Sequence, residues 1–152
     1  MPGERWEDKR ARAVLFAGAN KLARDGQDLD PEAVAETGLH VRDHLFVDKE
    51  VREENADVKA NRIGYSHDCM QFATLEPQPA GLWLSLWVGP DKVAEAKETL
   101  GAVDDPNAFR RMFGWVRVPI APRGVPGGLE AWVERAVRHA AEEKKRQAQT
   151  AR

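Results

Sequence analysis

The sequence predicts an α+β fold: a mostly antiparallel sheet of about four strands, covered by a C-terminal helix and preceded by an N-terminal helical region. Three observations carry this. The stretches "RIGYS", "MQFATL", "GLWLSLWV" and "WVRVPI" are short and rich in β-branched and aromatic residues, with turn-forming residues between them. Before Ala60 the composition is helical instead. After the last strand Leu129, Trp132, Val133, Ala136, Val137 and Ala140 recur at three- and four-residue intervals, the spacing of one helix face.

From Trp6 to Asp25 the apolar positions Ala11, Leu15, Gly18 or Ala19, and Leu22 predict an amphipathic helix that the Asp25-Gly26 pair ends. Asp30 reads as an N-cap, with Pro31 at the first helical position, opening a helix "PEAVAE" that Gly38 interrupts. A further helix, charged along one wet face, is expected from about Val41 to Glu54. The strands follow, with turns at Gly64, "HDC", "EPQPAG", "VGPD" and "PRGVPGG". Between the third and fourth strands "PDKVAEAKETLG" reads as a helix with Pro90 at its start and Gly101 after its end, and "DDPNAFRRM" as a turn with a short helix. These elements divide the chain into a helical region at 1–59 packed on the sheet, a sheet domain at 60–141 and a charged tail at 142–152 expected to fray.

Within "GLWLSLWVG" the alternation of a strand puts Leu82, Leu84, Leu86 and Val88 on one face and Trp83, Ser85 and Trp87 on the other. A fully buried leucine contributes about 1.5–3 kcal/mol, so three on one strand should choose the inner face. The tryptophan face is then covered by the N-terminal helices, covered by a second subunit, or left as an aromatic surface for a ligand.

Composition bounds the rest. At 152 residues the chain suits one domain with a substantial core. With 32% charged and 42% apolar residues it falls among ordinary globular proteins, rather than disordered or membrane ones. A net charge of −2 provides no global field toward polyanions, so any nucleic-acid contact must come from a local patch. Cys69 is the sole cysteine, which rules out an internal disulfide and multi-cysteine metal motifs. The N-terminus is charged where a secretory signal would be apolar, and no run is long enough to span a bilayer, so a cytoplasmic location without membrane contact is expected.

From Val41 to Ala140 the run "NRIGYSHDCMQFATLEPQPAGLWLSLWVG", then "RMFGWVRVPI" and the final helix, resembles a family of small α/β domains found alone or appended to nucleases and restriction-type proteins. Gly114-Trp115 is similar to the double-wing domains of the YjbR and MmcQ type. Upstream, "AVLFAGANKLARDG", "AVAETGL" and "HLFVDKE" resemble the helix–turn–helix opening of TetR-type repressors. These resemblances imply a fold and an association with nucleic-acid biology, and supply no catalytic residues.

Glu36, His40, His44 and Asp48 recur every four residues, so one continuous helix would present two imidazoles to a metal, whereas a break at Gly38 leaves a solvated polar stripe. His67, Asp68 and Cys69 are too close in sequence to form a charge relay, which makes Cys69 a small buried thiol behind Met70 and Phe72. The strongest constellation is basic and aromatic: Arg62, Tyr65, Trp83, Trp87, Arg110, Arg111, Trp115 and Arg117. Guanidinium groups hold phosphates and flat rings stack bases, the combination that single-stranded nucleic acid requires. The expected role is a non-enzymatic binding or accessory module contacting nucleic acid or a nucleic-acid-processing protein such as a nuclease, with no cofactor. Two rivals remain. One is a small-molecule binder or enzyme with a pocket between the sheet and the N-terminal helices, lined by Trp83, Trp87, Tyr65 and His67; the other is a homodimer that hides the tryptophan face.

Overall fold

Leu82, Leu84 and Leu86 are fully buried, and the whole architecture is arranged around that choice of face. The computed structural model describes residues 5–79, 81–121 and 124–150. Helices α1 (Asp8–Arg24) and α2 (Pro31–Asp43) lead into strands β1 (Val51–Asp57), β2 (Arg62–His67), β3 (Met70–Gln78) and β4 (Gly81–Trp87). A 3-10 turn at Pro90–Lys92 runs into α3 (Val93–Leu100), followed by β5 (Val103–Asp104), α4 (Ala108–Met112), β6 (Trp115–Ala121) and α5 (Leu129–Thr150). The strands form one six-stranded sheet in the order β1-β2-β3-β4-β6-β5, with each neighbouring pair antiparallel.

Register fixes which side chains share a face. Tyr65, Ala73, Leu86 and Val116 form one cross-strand row, and Ile63, Leu75, Leu84 and Val118 form the next. All eight are buried. On this face α1 and α2 meet at Gly38, where an added Cβ would lie 2.3 Å from Leu15 Cδ1 and 3.6 Å from Leu82 Cδ2. Helix α5 packs on β2, β3 and β4, its Trp132, Val133, Ala136, Val137 and Ala140 joining the same core, and α3 is tied to it by the 3.3 Å pair of Arg135 and Glu95.

The expected α+β class with an antiparallel sheet and a C-terminal helix is what the structure shows, with six strands where about four were expected. One addition is β1. Residues 51–54, expected to end a helix, instead begin an edge strand, whose Val51 and Glu53 turn inward while Arg52 and Glu54 face water. Gly38 does not interrupt α2. Its missing side chain lets α1 approach, and the helix continues to Asp43. The charged stretch after Glu142 stays helical to Thr150 rather than fraying, and Lys144 pairs with Asp68 at 2.9 Å; Ala151 and Arg152 lie outside the described residues. Part of the expected turns "EPQPAG" and "PRGVPGG" lies outside them too.

Cys69 is exposed, not buried. Asp68 and Cys69 have φ of 51° and 66°, the signature of a two-residue hairpin turn whose twist matches its strands, and such a turn tip points to solvent. None of the described helices is long and apolar enough to cross a membrane.

A charged clamp sits beneath the helices. The Arg42 guanidinium is fully buried and donates to Glu53 at 2.5 and 2.8 Å, to Asp8 at 2.7 Å and to the Trp6 carbonyl. Glu53 also accepts from the Trp6 amide and the Tyr65 hydroxyl, each at 2.8 Å. Burial opposes the Arg42 charge, but the bonds to Glu53 and Asp8 outweigh it and raise its pKa. Because Arg42 is met by Glu53, Asp8 and the Trp6 carbonyl, and Glu53 by Arg42, Tyr65 and the Trp6 amide, the clamp joins α1, α2, β1 and β2 without a stranded charge.

Candidate nucleic-acid interface

The opposite face of the sheet carries the alternate residues of each strand. Gly64, Thr74, Ser85 and Arg117 form one row across it, and Glu76, Trp83 and Pro119 lie in the next. With α1, α2, α3 and α5 on the leucine side, the short α4 is the helix that reaches this face among the described residues. Long side chains lie flat over the small ones, which is why Thr74 and Ser85 are buried without a covering layer.

Three arginines converge here. Arg62 donates to Glu76 at 3.2 and 3.4 Å, and Arg117 reaches the same carboxylate at 3.9 Å while its guanidinium lies 5.7 Å from the Trp83 ring centroid. The Nε of Arg117 is buried without a hydrogen-bond partner among the described residues. Arg110 comes from α4, whose start is set by Asn107 accepting from the Arg110 amide at 3.1 Å and by Asp105 accepting from the Asn107 amide at 2.9 Å. Its guanidinium stacks 4.1 Å from the Trp115 ring centroid, touches Gln71 at 3.4 Å and stands 3.8 Å from Asp105. Partial burial lowers the Arg110 pKa; the charges of Arg62 and Arg117 act in the same direction, against the opposing pull of Asp105.

Aromatic rings extend the face to the end of the strands. Trp115 and Trp87 are a parallel cross-strand pair with centroids 6.0 Å apart, and Trp87 meets His139 of α5 edge-on at 4.8 Å. Beside them, on α4 and just after it, Phe109 and Phe113 contact edge-to-face at 5.0 Å and are 67% and 46% exposed, with Met112 at 64%. Phe109 to Met112 of α4 and its C-cap Phe113 thus make a mixed apolar and charged surface that a sheet core cannot use.

The structure thus brings Arg62, Trp83, Arg110, Trp115 and Arg117 together, with Trp115 itself buried beneath the Arg110 guanidinium. Tyr65 does not join them. It lies on the helix-covered face, fully buried with its hydroxyl on Glu53, because Tyr65 pairs with Ala73 in the leucine-face rows. Arg111 turns back to the Asp105 carbonyl at 3.2 Å, and Trp87 is nearly buried with its indole N–H donating to the Phe113 carbonyl at 2.8 Å. The pocket lining suggested by Trp83, Trp87, Tyr65 and His67 does not converge either, since Trp83 and Tyr65 face opposite sides of the sheet and His67 pairs with Asp48 at 3.2 Å.

The histidine stripe disperses. Helix α2 is continuous through Gly38, but it ends at Asp43 with His44 as its C-cap; Glu36 is engaged by Arg12, and Asp48 by His67. No group of three or more His, Cys, Asp or Glu gathers at metal-binding spacing among the described residues.

Gln71, Glu76, Asp105, Phe109 and Phe113 belong to the site and were not singled out from sequence. Glu76 was legible in principle, since a carboxylate on "FATLE" is placed to meet an arginine on "RIGY" once the two strands are paired. The spacing of Phe109, Met112 and Phe113 reads equally as a buried helix face, so their exposure carries no sequence signal. No protein-family model, no curated protein and no solved structure matches this chain.

Proposed function

We propose that the face of the sheet opposite the buried leucines binds single-stranded nucleic acid, as a non-enzymatic module. The observation that supports this best is the convergence of Arg62, Arg110 and Arg117 on one surface with Trp83 and Trp115. Against these three cations stand two carboxylates, Glu76 and Asp105, so the patch is locally positive in a chain of net charge −2. Stacked bases need a flat ring, which the half-buried Trp83 offers, and a phosphate backbone needs guanidinium groups, which Arg62 and Arg117 hold on strands and Arg110 holds over the buried Trp115 ring. The resemblance of the segment from Val41 to Ala140 to small domains appended to nucleases points to the same class of role.

The test is titration of a fluorescent single-stranded oligonucleotide at several salt concentrations. Binding that weakens steeply with salt supports the proposal, and no binding at low salt ends it. Light scattering on the same samples reads whether a second copy of the chain covers the face instead.

A further inference from the structure

A second basic site lies where the aromatic ladder ends. Between the 3-10 turn at Pro90–Lys92 and helix α5 is a cleft of about 330 Å³ lined by Val88, Lys92, Arg135, Arg138, His139 and Glu142. We propose that this cleft binds a phosphomonoester, either the terminal phosphate of a nucleic-acid strand or a free mononucleotide.

Its volume is at the small end of the roughly 300–1,000 Å³ range of ligand sites, which suits a compact charged head group. Three of its six lining residues are cations, and their presentation is built. Arg135 is held between the Trp132 ring, 4.6 Å from its centroid, and Glu95 at 3.3 Å. Lys92 reaches the same Glu95 at 3.9 Å. Arg138 is exposed and makes no ion pair among the described residues, so its charge is available to a ligand. Glu95 and Glu142 oppose Lys92, Arg135 and Arg138, leaving one positive charge before His139 is counted.

His139 is fixed by its surroundings. Trp87 takes one edge at 4.8 Å, and Gly89, with φ of 92°, lets the imidazole sit where a Cβ would be 2.9 Å from its Cε1. A side chain at position 89 would push the imidazole from this place. The series Arg110, Trp115, Trp87, His139 therefore leads from the sheet face to the cleft in contacts of 4.1, 6.0 and 4.8 Å.

The experiment measures binding of inorganic phosphate, adenosine monophosphate, and one oligonucleotide with and without a terminal phosphate. It compares the wild type with Arg138→Ala and Lys92→Ala, both exposed positions whose loss leaves the core intact. Wild type is expected to bind a phosphorylated probe roughly tenfold more tightly than Arg138→Ala, as befits one charge-assisted contact. Preference for the phosphorylated over the hydroxyl-ended strand identifies a strand end as the source; binding of free adenosine monophosphate without that preference identifies a mononucleotide. The inference is overturned if no phosphate-bearing probe responds to either substitution, even where the oligonucleotide still binds the sheet face. Conversely, Arg138-dependent phosphate binding without oligonucleotide binding keeps the cleft and removes the sheet-face reading.

Discussion

The Arg117 guanidinium lies 5.7 Å from the centroid of the Trp83 ring, on the side of the sheet opposite the buried leucines. The pair sits diagonally across β4 and β6, since Trp83 is opposite Pro119 and Arg117 is opposite Ser85. A cation beside an aromatic face, both on rigid strands, is pre-positioned for a phosphate and its base. Arg117→Ala is therefore expected to weaken oligonucleotide binding and to lower the salt slope by about one.

Glu76 occupies both Arg62 and Arg117 and competes with any polyanion for them. Replacing it with the neutral isostere, Glu76→Gln, should tighten oligonucleotide binding by roughly threefold to tenfold, about 0.7–1.4 kcal/mol. A structural role alone would give no gain. Fluorescence anisotropy at fixed salt distinguishes the two.

Glu53 is the hub of the buried clamp, accepting from Arg42, Tyr65 and the Trp6 amide. Glu53→Gln leaves the Arg42 charge buried and short of its partner, and should cost about 3–5 kcal/mol in urea unfolding. The double substitution Arg42→Met with Glu53→Leu removes both charges and should cost less than the single one.

Tyr65 is the chain's one tyrosine, so its ionisation can be followed directly by tyrosinate absorbance. Burial first, and then the neighbouring Glu53 carboxylate, push its pKa well above the ordinary 10. A raised folded-state pKa means that stability is untouched below pH 10 and falls as pH rises above it, because the unfolded chain sheds a proton that the folded chain retains. Tyrosinate should appear together with alkaline unfolding, not at the ordinary value, and Tyr65→Phe should flatten the alkaline decline in stability.

Gly38→Ala tests the reason for a glycine inside a helix. Helix propensity alone would favour alanine by about 1 kcal/mol. Leu15, however, is fully buried and would be 2.3 Å from the new methyl, so a net loss of about 1–3 kcal/mol is expected. Combining Leu15→Ala with Gly38→Ala should cost less than the sum of the two single losses, since the two sites share one contact.

Alternation made the sheet's inner face legible, because Leu82, Leu84 and Leu86 leave one low-energy choice. The capping signals at Asp30 and Gly101 were equally local: Asp30 accepts from the Glu32 amide at 3.0 Å, and Gly101 ends α3 with φ of 66°. β1 was hidden because its one buried acid, Glu53, stands where alternation calls for an apolar residue, and an exposed edge strand carries charge to avoid pairing with other chains. Gly38 misled for a related reason. A glycine that breaks a helix and a glycine that lets two helices touch have the same letter, and only the neighbouring Leu15 separates them. In the site, Arg62, Arg110 and Arg117 could be listed from sequence, but Tyr65 could not be assigned a side of the sheet before the strand register was known.

The five tryptophans report separately on the two sides of the molecule: Trp83 and Trp115 on the face opposite the buried leucines, Trp87 at its end, and Trp6 and Trp132 with the longer helices. The most direct measurement is a titration of the indole N–H signals by nuclear magnetic resonance with a single-stranded oligonucleotide that carries no terminal phosphate. Binding on the sheet face shifts Trp83 and Trp115 and leaves Trp6 and Trp132 in place. Shifts confined to Trp6 and Trp132, or no shift at any indole at low salt, would contradict it.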